Sequence, residues 1–415
     1  MSEAPPTRTP AFERRLKKRY AAERRFRLAG LAAVLFSVAV LVFLLTTMVA
    51  NGIGGFQRAT LRVPIDFAPA GLNLPTGDAR PEAALRMLES QGLPELVQES
   101  AERALGPAAA SELSSDAWRI VAQQVIETPS LLLARTEFAL PASERLASAL
   151  KGDGQLALQP LARELAAAGT LRNELDLGFL TRSDATDPQL VGIWGALKGS
   201  ILTMAVTLAL AFPIGVGAAL YLEEFAPRNR WTDVIEVSIN NLAAVPSIIF
   251  GLLGLAVFLT IFPYWRSAPA IGGMTLALMT MPVIVISGRN AIKAVPPSIR
   301  DGAMALGASP IQVVFHHVLP LALPGILTGT IIGMARALGE TAPLLMIGMR
   351  AFVATPPAGF TDPATVLPVQ IFLWSDEIDR GFVERTSAAI IVLLLFLLLM
   401  NGVAIYLRNK FEKKW

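Results

Sequence analysis

Long apolar runs separated by short polar stretches dominate the pattern of the chain. The first run, Leu28 to Ala50, is long enough to cross a bilayer as a helix, which takes about 20 residues. It is too long for the apolar part of a cleaved signal peptide. Five further runs are each interrupted or flanked by Gly, Pro or charge. The pattern therefore predicts six transmembrane helices, the later five at about residues 194–222, 234–262, 270–290, 319–349 and 387–407.

Composition agrees with a membrane protein. Of the 415 residues, 53% are hydrophobic and 17% are charged, and the mean hydropathy is +0.51, a balance that soluble enzymes do not have. The net charge is +3, and the basic excess lies at the ends rather than along a stripe, which argues against a nucleic-acid partner. Cys is absent and only two His are present, so we expect no metal site and no catalytic thiol. The chain is predicted to be an all-α integral membrane protein.

Basic residues at both ends predict the orientation. Residues 1–27 hold nine Lys or Arg and residues 408–415 hold four, so the positive-inside rule places both tails in the cytoplasm. An even number of spans agrees. Glu223 and Glu224, which follow the second span, are typical of a solvated cytoplasmic turn.

With that orientation, residues 51–193 form a domain outside the membrane, between the first span (28–50) and a five-helix core (194–407). The domain has 12 basic and 18 acidic residues. Amphipathic patterns predict that it is mainly helical, and the stretch TLRVPIDF reads as a strand. The domain is either a docking or sensing module or a passive domain with its own core.

Two charged residues stand out inside the fifth apolar run, in the stretch ARALGETAPLL. Each of Arg336 and Glu340 costs about 2.5–3.5 kcal/mol at the centre of a membrane helix, so we expect a functional reason for both. The planar guanidinium of Arg336 suits a tetrahedral oxyanion, and Glu340 lies one turn further on the same side. Pro343 cannot donate to the carbonyl of Gly339, which predicts a kink beside Glu340. The pair is a candidate substrate site; the alternative is a structural ion pair.

Polar residues also interrupt the third run. Asn240, Asn241 and Ser247 lie around Pro246. They are candidates for the substrate pathway. Hydrogen bonds between helices are the alternative for these side chains.

Residues 295–326 link the fourth and fifth runs on the cytoplasmic side. A Pro pair can begin a helix there, and Gly307 can end it. The tripeptide Ala-Ser-Pro that follows can open a second short helix. The segment resembles the coupling-loop motif of ATP-binding-cassette importer permeases, although Asp, Gly and His317 replace its usual Glu, Ala and Ile. An ordinary amphipathic connector is the alternative. The coupling loop is predicted at residues 291–318, and the positions that fall on the motif's spacing are Asp301, Gly302, Ala303, Gly307, Leu319 and Pro320.

Four longer stretches narrow this resemblance: YLEEFAPRNRWTDVIEVSINNLAAVPSIIFGLLGL, MARALGETAPLLMIG, TVLPVQIFLWSDE and MNGVAIYLRNKF. Together they resemble PstA-type permeases of phosphate-specific importers, over about residues 195–415 and the first span. The resemblance implies a six-helix type I importer permease subunit in the bacterial inner membrane. Its implied partners are a homologous second permease, an ATPase dimer and a periplasmic phosphate-binding protein.

The same resemblance implies that this chain is not an enzyme and carries no cofactor. The phosphate-cradling motif G-x-x-x-x-G-K-[ST] is absent from the sequence, so ATP and Mg are expected on a partner ATPase. Two other functions stay open. One is import of another oxyanion such as sulfate, and the other is a membrane sensor that uses residues 51–193 as its input domain.

Overall fold

The computed structural model describes residues 10–68, 71–74, 81–152, 156–349, 352–379 and 381–411. It divides into two units, residues 1–51 and residues 52–415. Where it is described, the first unit is part of helix α1 (Pro10–Ile53). This helix contains the predicted first span and begins within the basic stretch, so the predicted N-terminal tail is helical from Pro10 onward.

Residues 57–193, called the α/β domain below, contain a sheet. Three antiparallel strands, β1 (Gln57–Asp66), β2 (Arg135–Pro141) and β3 (Leu171–Leu175), lie in the order β2-β1-β3. The all-α prediction is therefore wrong here, although the strand predicted from TLRVPIDF is confirmed and helices outnumber strands. These helices are α2 (Pro81–Ser90), α3 (Leu93–Leu105), α4 (Pro107–Ala110), α5 (Ala117–Glu127), α6 (Glu144–Lys151), α7 (Gln159–Ala167) and α8 (Gly178–Thr181).

One face of β1 supplies the core of the α/β domain. Leu61, Val63 and Ile65 alternate along the strand and are fully buried, as expected for residues two apart on one face. Val63 and Ile65 pack into one apolar cluster with residues of α3 and α5, and Leu61 packs into another with residues of α6 and α7. Strands β2 and β3 pair with the backbone of β1, whereas the helices cover its apolar face and remove it from solvent.

The remaining helices form the core that contains the predicted spans. Helix α13 packs against both α9 and α16, and Thr207 on α9 donates to the carbonyl of Gly273 on α13 over 3.3 Å. Among the described residues, three segments are π-helical, at residues 221–225, 254–258 and 314–318. The helices are α9 (Trp194–Leu220), α10 (Arg230–Ala243), α11 (Ser247–Leu253), α12 (Leu259–Ile261), α13 (Pro269–Lys293), α14 (Pro297–Ala305), α15 (Pro310–Val313), α16 (Leu319–Gly339), α17 (Ala342–Met346), α18 (Leu367–Ser375) and α19 (Gly381–Phe411).

Two of the predicted spans are not continuous helices. Within the described residues, five helices are long and apolar enough to cross a membrane, and the number is six if a bent pair counts as one span. That pair replaces the predicted span 234–262. The chain bends by 104° between its two helical parts, residues 230–243 and 247–261. Pro246 precedes α11 with an extended ψ of 136°, and the residues around a Pro leave the helical region readily. The predicted span 319–349 also ends early, because α16 stops at Gly339.

The α/β domain and the helical core belong to the same unit and share an aromatic cluster. Phe179 at the end of the domain packs near Trp374 of α18, and Trp374 packs near Phe382 of α19. The indole Nε1 of Trp374 also donates to Asp184 over 3.1 Å. The domain is therefore joined to the last two helices by buried contacts.

Candidate functional site

Arg336 and Glu340 contact each other at the end of α16. Nε of Arg336 donates to Oε1 of Glu340 over 3.4 Å, and the side chains are 47% and 19% exposed. The bond is long, and no other acceptor among the described residues contacts the Arg336 guanidinium. Its planar Nη pair is therefore accessible for a bidentate contact with an anion.

The backbone breaks beside Glu340, as the position of Pro343 predicted. Glu340 has φ −79° and ψ 122°, and the chain becomes helical again only in α17. Pro343 packs against α11, where a Cβ added to Gly251 would lie 2.6 Å from its Cα. Only glycine permits this approach. Val245, in the bend before α11, packs against the same apolar cluster that contains Leu344, so both helix breaks border one cluster.

The three polar residues of the third run are placed differently. Asn240 and Asn241 lie exposed on α10, before the bend, and Ser247 is the half-buried first residue of α11. Ser247 is four residues before Gly251, on the face that packs against α17. In the described part of the chain, no hydrogen bond joins any of the three to Arg336 or Glu340.

The helix–turn–helix predicted around Gly307 is confirmed. Gly307 has φ +88°, a left-handed conformation that favours glycine. Its N–H donates to Met304 and the N–H of Ala308 donates to Ala303, the paired bonds of a Schellman ending. Ser309 and Gln312 form a capping box that begins α15. The turn is therefore fixed by local bonds at both of its ends.

The residues on the coupling motif occupy two environments. Asp301, Gly302 and Gly307 are exposed, Ala303 is buried among apolar residues, and Leu319 and Pro320 begin α16 half-buried. Part of the motif is therefore exposed, whereas Ala303 and Leu319 pack against the helical core. The exposed surface also carries large apolar side chains: Met304 (48% exposed), Leu306 (92%), Ile311 (62%) and Phe315 (52%).

Glu223 and Glu224 are not a solvated turn, and this prediction is wrong. Their side chains are only 15% and 11% exposed. Arg300 on α14 donates to Glu224 through Nη2 over 2.7 Å and Nε over 3.2 Å, and Arg289 on α13 bridges Glu223 and Glu236. These partners are 76 and 66 residues away in the chain, so the local charge pattern carried no signal of the pairing.

A family model described as "Binding-protein-dependent transport system inner membrane component" matches residues 211–414, and a domain of unknown function matches residues 13–159. The chain is 30% identical over 241 residues to the phosphate transport system permease protein PstA of Haemophilus influenzae, covering 58% of this chain and 83% of the relative. The chain belongs to the PstA-type family of ABC importer permeases. It is thus a multi-pass inner-membrane permease subunit and not an enzyme.

Other relatives match over shorter stretches. PstA 1 of Mycobacterium tuberculosis is 33% identical over 38% of this chain and 51% of its own length. The probable ABC transporter permease YqgI of Bacillus subtilis is 32% identical over 46% of this chain and 63% of its own length. Against these two relatives, the chain therefore spans about half to two thirds of their length.

Among solved structures, the chain is similar to a chain of the MetNI methionine ABC transporter. The identity is 19%, the match covers 53% of this chain and 98% of the other, and the TM-score is 0.44. A bacterial alginate ABC transporter matches at 14% identity over 72% of this chain and 99% of the other, with a TM-score of 0.42.

Proposed function

We propose that this chain is the permease subunit of an ATP-driven importer of inorganic phosphate. The observation that carries the proposal is the accessible guanidinium of Arg336 beside Glu340, at a helix break in the core of a PstA-type permease. Relatives whose names specify phosphate transport support the choice of substrate. Asn240, Asn241 and Ser247 complete the proposed pathway.

Arg336 and Glu340 have different proposed roles. Arg336 binds the oxyanion through two parallel N–H donors and stays charged at any physiological pH. Glu340 accepts a hydrogen bond from the proton that phosphate keeps near neutral pH, whereas sulfate has no such proton and meets only repulsion. The pair therefore provides both affinity for oxyanions and preference for phosphate.

The exposed surface around Gly307 is the proposed contact with an ATPase dimer. Met304, Leu306, Ile311 and Phe315 supply apolar anchors there, which are typical of the centre of a protein interface. The pair of Arg300 and Glu224 attaches this surface to the π-helical segment that continues α9, so a movement of the ATPase is passed to the spans as a rigid-body motion. ATP and Mg bind to the ATPase, and the other proposed partners are a homologous permease and a periplasmic phosphate-binding protein.

The orientation is part of the proposal: both termini and the α14–α15 segment are cytoplasmic, and the α/β domain lies outside. Because the chain has no Cys, single cysteines report the side directly. We expect a cysteine at Leu306 (92% exposed) to be labelled from the cytoplasm and one at Leu133 (88% exposed) from outside. Labelling of the second position only from the cytoplasm contradicts the orientation.

The substrate is tested in proteoliposomes that contain this chain with a homologous permease, an ATPase and a phosphate-binding protein from the same organism. We expect ATP-dependent accumulation of labelled phosphate and little accumulation of labelled sulfate. Sulfate accumulation without phosphate accumulation would assign the alternative oxyanion, and ATP hydrolysis without uptake of either would contradict the proposal.

A further inference from the structure

Two arginines contact one carboxylate, and a third lies near it, where the α/β domain meets α19. Asp176, which follows β3, is 5% exposed and accepts from Nη2 of Arg182 over 2.6 Å. Nη1 of Arg385, in the first turns of α19, lies 3.5 Å from the same carboxylate oxygen. Arg58 on β1 is the third member. Burial lowers the pKa of Arg58, Asp176 opposes this effect, and Arg182 adds to it, so all three groups lie within electrostatic range.

The buried part of the cluster has more positive charge than Asp176 alone can balance. Arg182 and Arg385 contact Asp176, and Arg58 lies within electrostatic range of it, although residues 51–193 as a whole have 18 acidic and only 12 basic residues. Two further carboxylates lie within electrostatic range: Glu174 of Arg58 and Glu144 of Arg385. Glu174 is 40% exposed and pairs with Arg62, and Glu144 accepts hydrogen bonds from Ser148 and Gln189. The local excess is therefore a property of the folded arrangement and not of the composition.

Several guanidinium N–H groups in this cluster are buried without an acceptor. Nε of Arg385 donates to the carbonyl of Pro188 over 2.8 Å and Nη1 to that of Gly55 over 2.5 Å. Its Nη2 has no hydrogen-bond partner among the described residues, and the same is true of Nε and Nη1 of Arg58. Arg385 is only 2% exposed, so bulk solvent does not satisfy the missing bond.

Loss of a proton does not remove the cost of these buried, unpaired N–H groups, because arginine stays charged in proteins. Water can satisfy the free N–H groups but leaves the excess charge, whereas an anion removes both costs. Arg182, but neither Arg58 nor Arg385, also lines a cavity of about 570 Å³, whose other charged lining residues are Arg119, Asp116, Glu127 and Asp184. We propose that Arg58, Arg182 and Arg385 bind a small inorganic anion at this junction.

The bound anion connects three separate segments: β1, the segment around α8, and α19. Its site is distinct from Arg336, so it acts on how firmly the α/β domain is attached to the last helix and not on the proposed pathway. Binding of the anion therefore stabilises the contact between the α/β domain and α19, and its loss weakens that contact.

The test uses the full-length chain in detergent with Arg336→Ala, which removes any contribution from the proposed pathway. Thermal unfolding is followed while chloride, phosphate or sulfate replaces the bulky anion gluconate at constant ionic strength. We expect a saturable rise in Tm with at least one of the three anions, because ligand binding to the folded state stabilises it by mass action. The anion that acts at the lowest concentration identifies the ligand.

Matched variants separate a site from a general salt effect. Arg58→Gln is expected to raise the half-saturating anion concentration at least tenfold. Arg62→Gln is expected to leave it unchanged, because Arg62 lies on the same strand but pairs with Glu137 and Glu174. An equal response in both variants, or no response in the parent, would overturn the proposal.

A second measurement does not depend on whether Arg58→Gln folds. Equilibrium dialysis of the parent chain with labelled chloride, labelled phosphate and labelled sulfate should give about one bound anion per chain for the active species. No binding of any of the three labels would also overturn the proposal.

Discussion

Arg300 on α14 and Glu224 in the π-helical segment 221–225, which continues α9, form a two-pronged ion pair. Nη2 and Nε of the arginine lie 2.7 and 3.2 Å from the same carboxylate oxygen. Arg300 also donates to the carbonyls of Val295 and Ile292 at the end of α13. One side chain thus joins α14 to both α9 and the C-terminal end of α13. In a PstA-type permease, this junction is where the proposed ATPase surface meets the membrane helices.

We expect Arg300→Met to uncouple ATP hydrolysis from transport, because α14 loses its connection to α9. The free energy of unfolding should fall by about 2 kcal/mol, the value of a partly buried charged hydrogen bond. Phosphate uptake and ATPase activity in proteoliposomes measure the uncoupling. Arg228→Met, at an exposed arginine near the same turn, is the control, and equal loss of coupling in both variants contradicts the role of the pair.

Gly307→Leu is expected to uncouple the complex as well, for a backbone reason. Position 307 has φ +88° but open space around an added Cβ, so the cost is conformational strain of about 1–2 kcal/mol and not a clash. The ATPase should lose its stimulation by the binding protein while the chain stays inserted. Gly217→Ala, within α9 and also without contacts for its Cβ, should behave as the parent. Normal uptake by a well-expressed Gly307→Leu chain removes the proposed coupling role.

Arg336→Ala should lower phosphate uptake by about 10- to 100-fold, the effect of losing a charged hydrogen-bond donor pair. Arg336→Lys should restore little, because a point charge does not reproduce the planar donors. Initial uptake rates at equal membrane levels of protein are the measurement. Full activity of the Ala variant shows that the substrate does not contact this guanidinium.

Glu340→Gln should reduce phosphate uptake or weaken the preference over sulfate, because the amide no longer repels sulfate. Competition of unlabelled sulfate with labelled phosphate measures this preference. A purely structural pair behaves differently: each single variant would lose protein from the membrane, and Arg336→Met with Glu340→Leu together would recover both level and transport. That recovery would contradict the role in selection.

The α/β domain should show a pH-dependent stability through Glu144. Burial raises the pKa of this carboxyl above its ordinary value of 4.5, hydrogen bonds from Gln189 and Ser148 oppose the shift, and Asp379 adds to it. Since the folded state binds the proton more tightly, stability is highest below about pH 4.5 and falls as the pH rises through the raised pKa. Glu144→Gln should flatten Tm between pH 4.5 and 7.5, whereas Glu89→Gln at an exposed position should not. An unchanged slope in the first variant refutes this assignment.

Several features of the candidate sites could be predicted from the sequence because they depend on neighbouring residues. Gly307 ends its helix because only glycine adopts that φ without strain, and Pro343 breaks the chain after α16 because it removes a backbone donor. The lengths of the apolar runs likewise indicated the spans, since the thickness of the bilayer sets that length. The proximity of Arg336 and Glu340 followed from their spacing of four residues on a helix.

Other features were decided by tertiary packing. The sequence indicated β1 but not its partners, because strands β2 and β3 are chosen by register and burial across about 70 or more residues. The 104° bend before α11 depends on how its two halves pack, since Pro246 permits a bend without setting its angle. The pairing of Glu224 with Arg300 and the gathering of Arg58, Arg182 and Arg385 around Asp176 join distant segments. Charge type is local information, but desolvation and proximity arise only when the helices and the sheet are packed together.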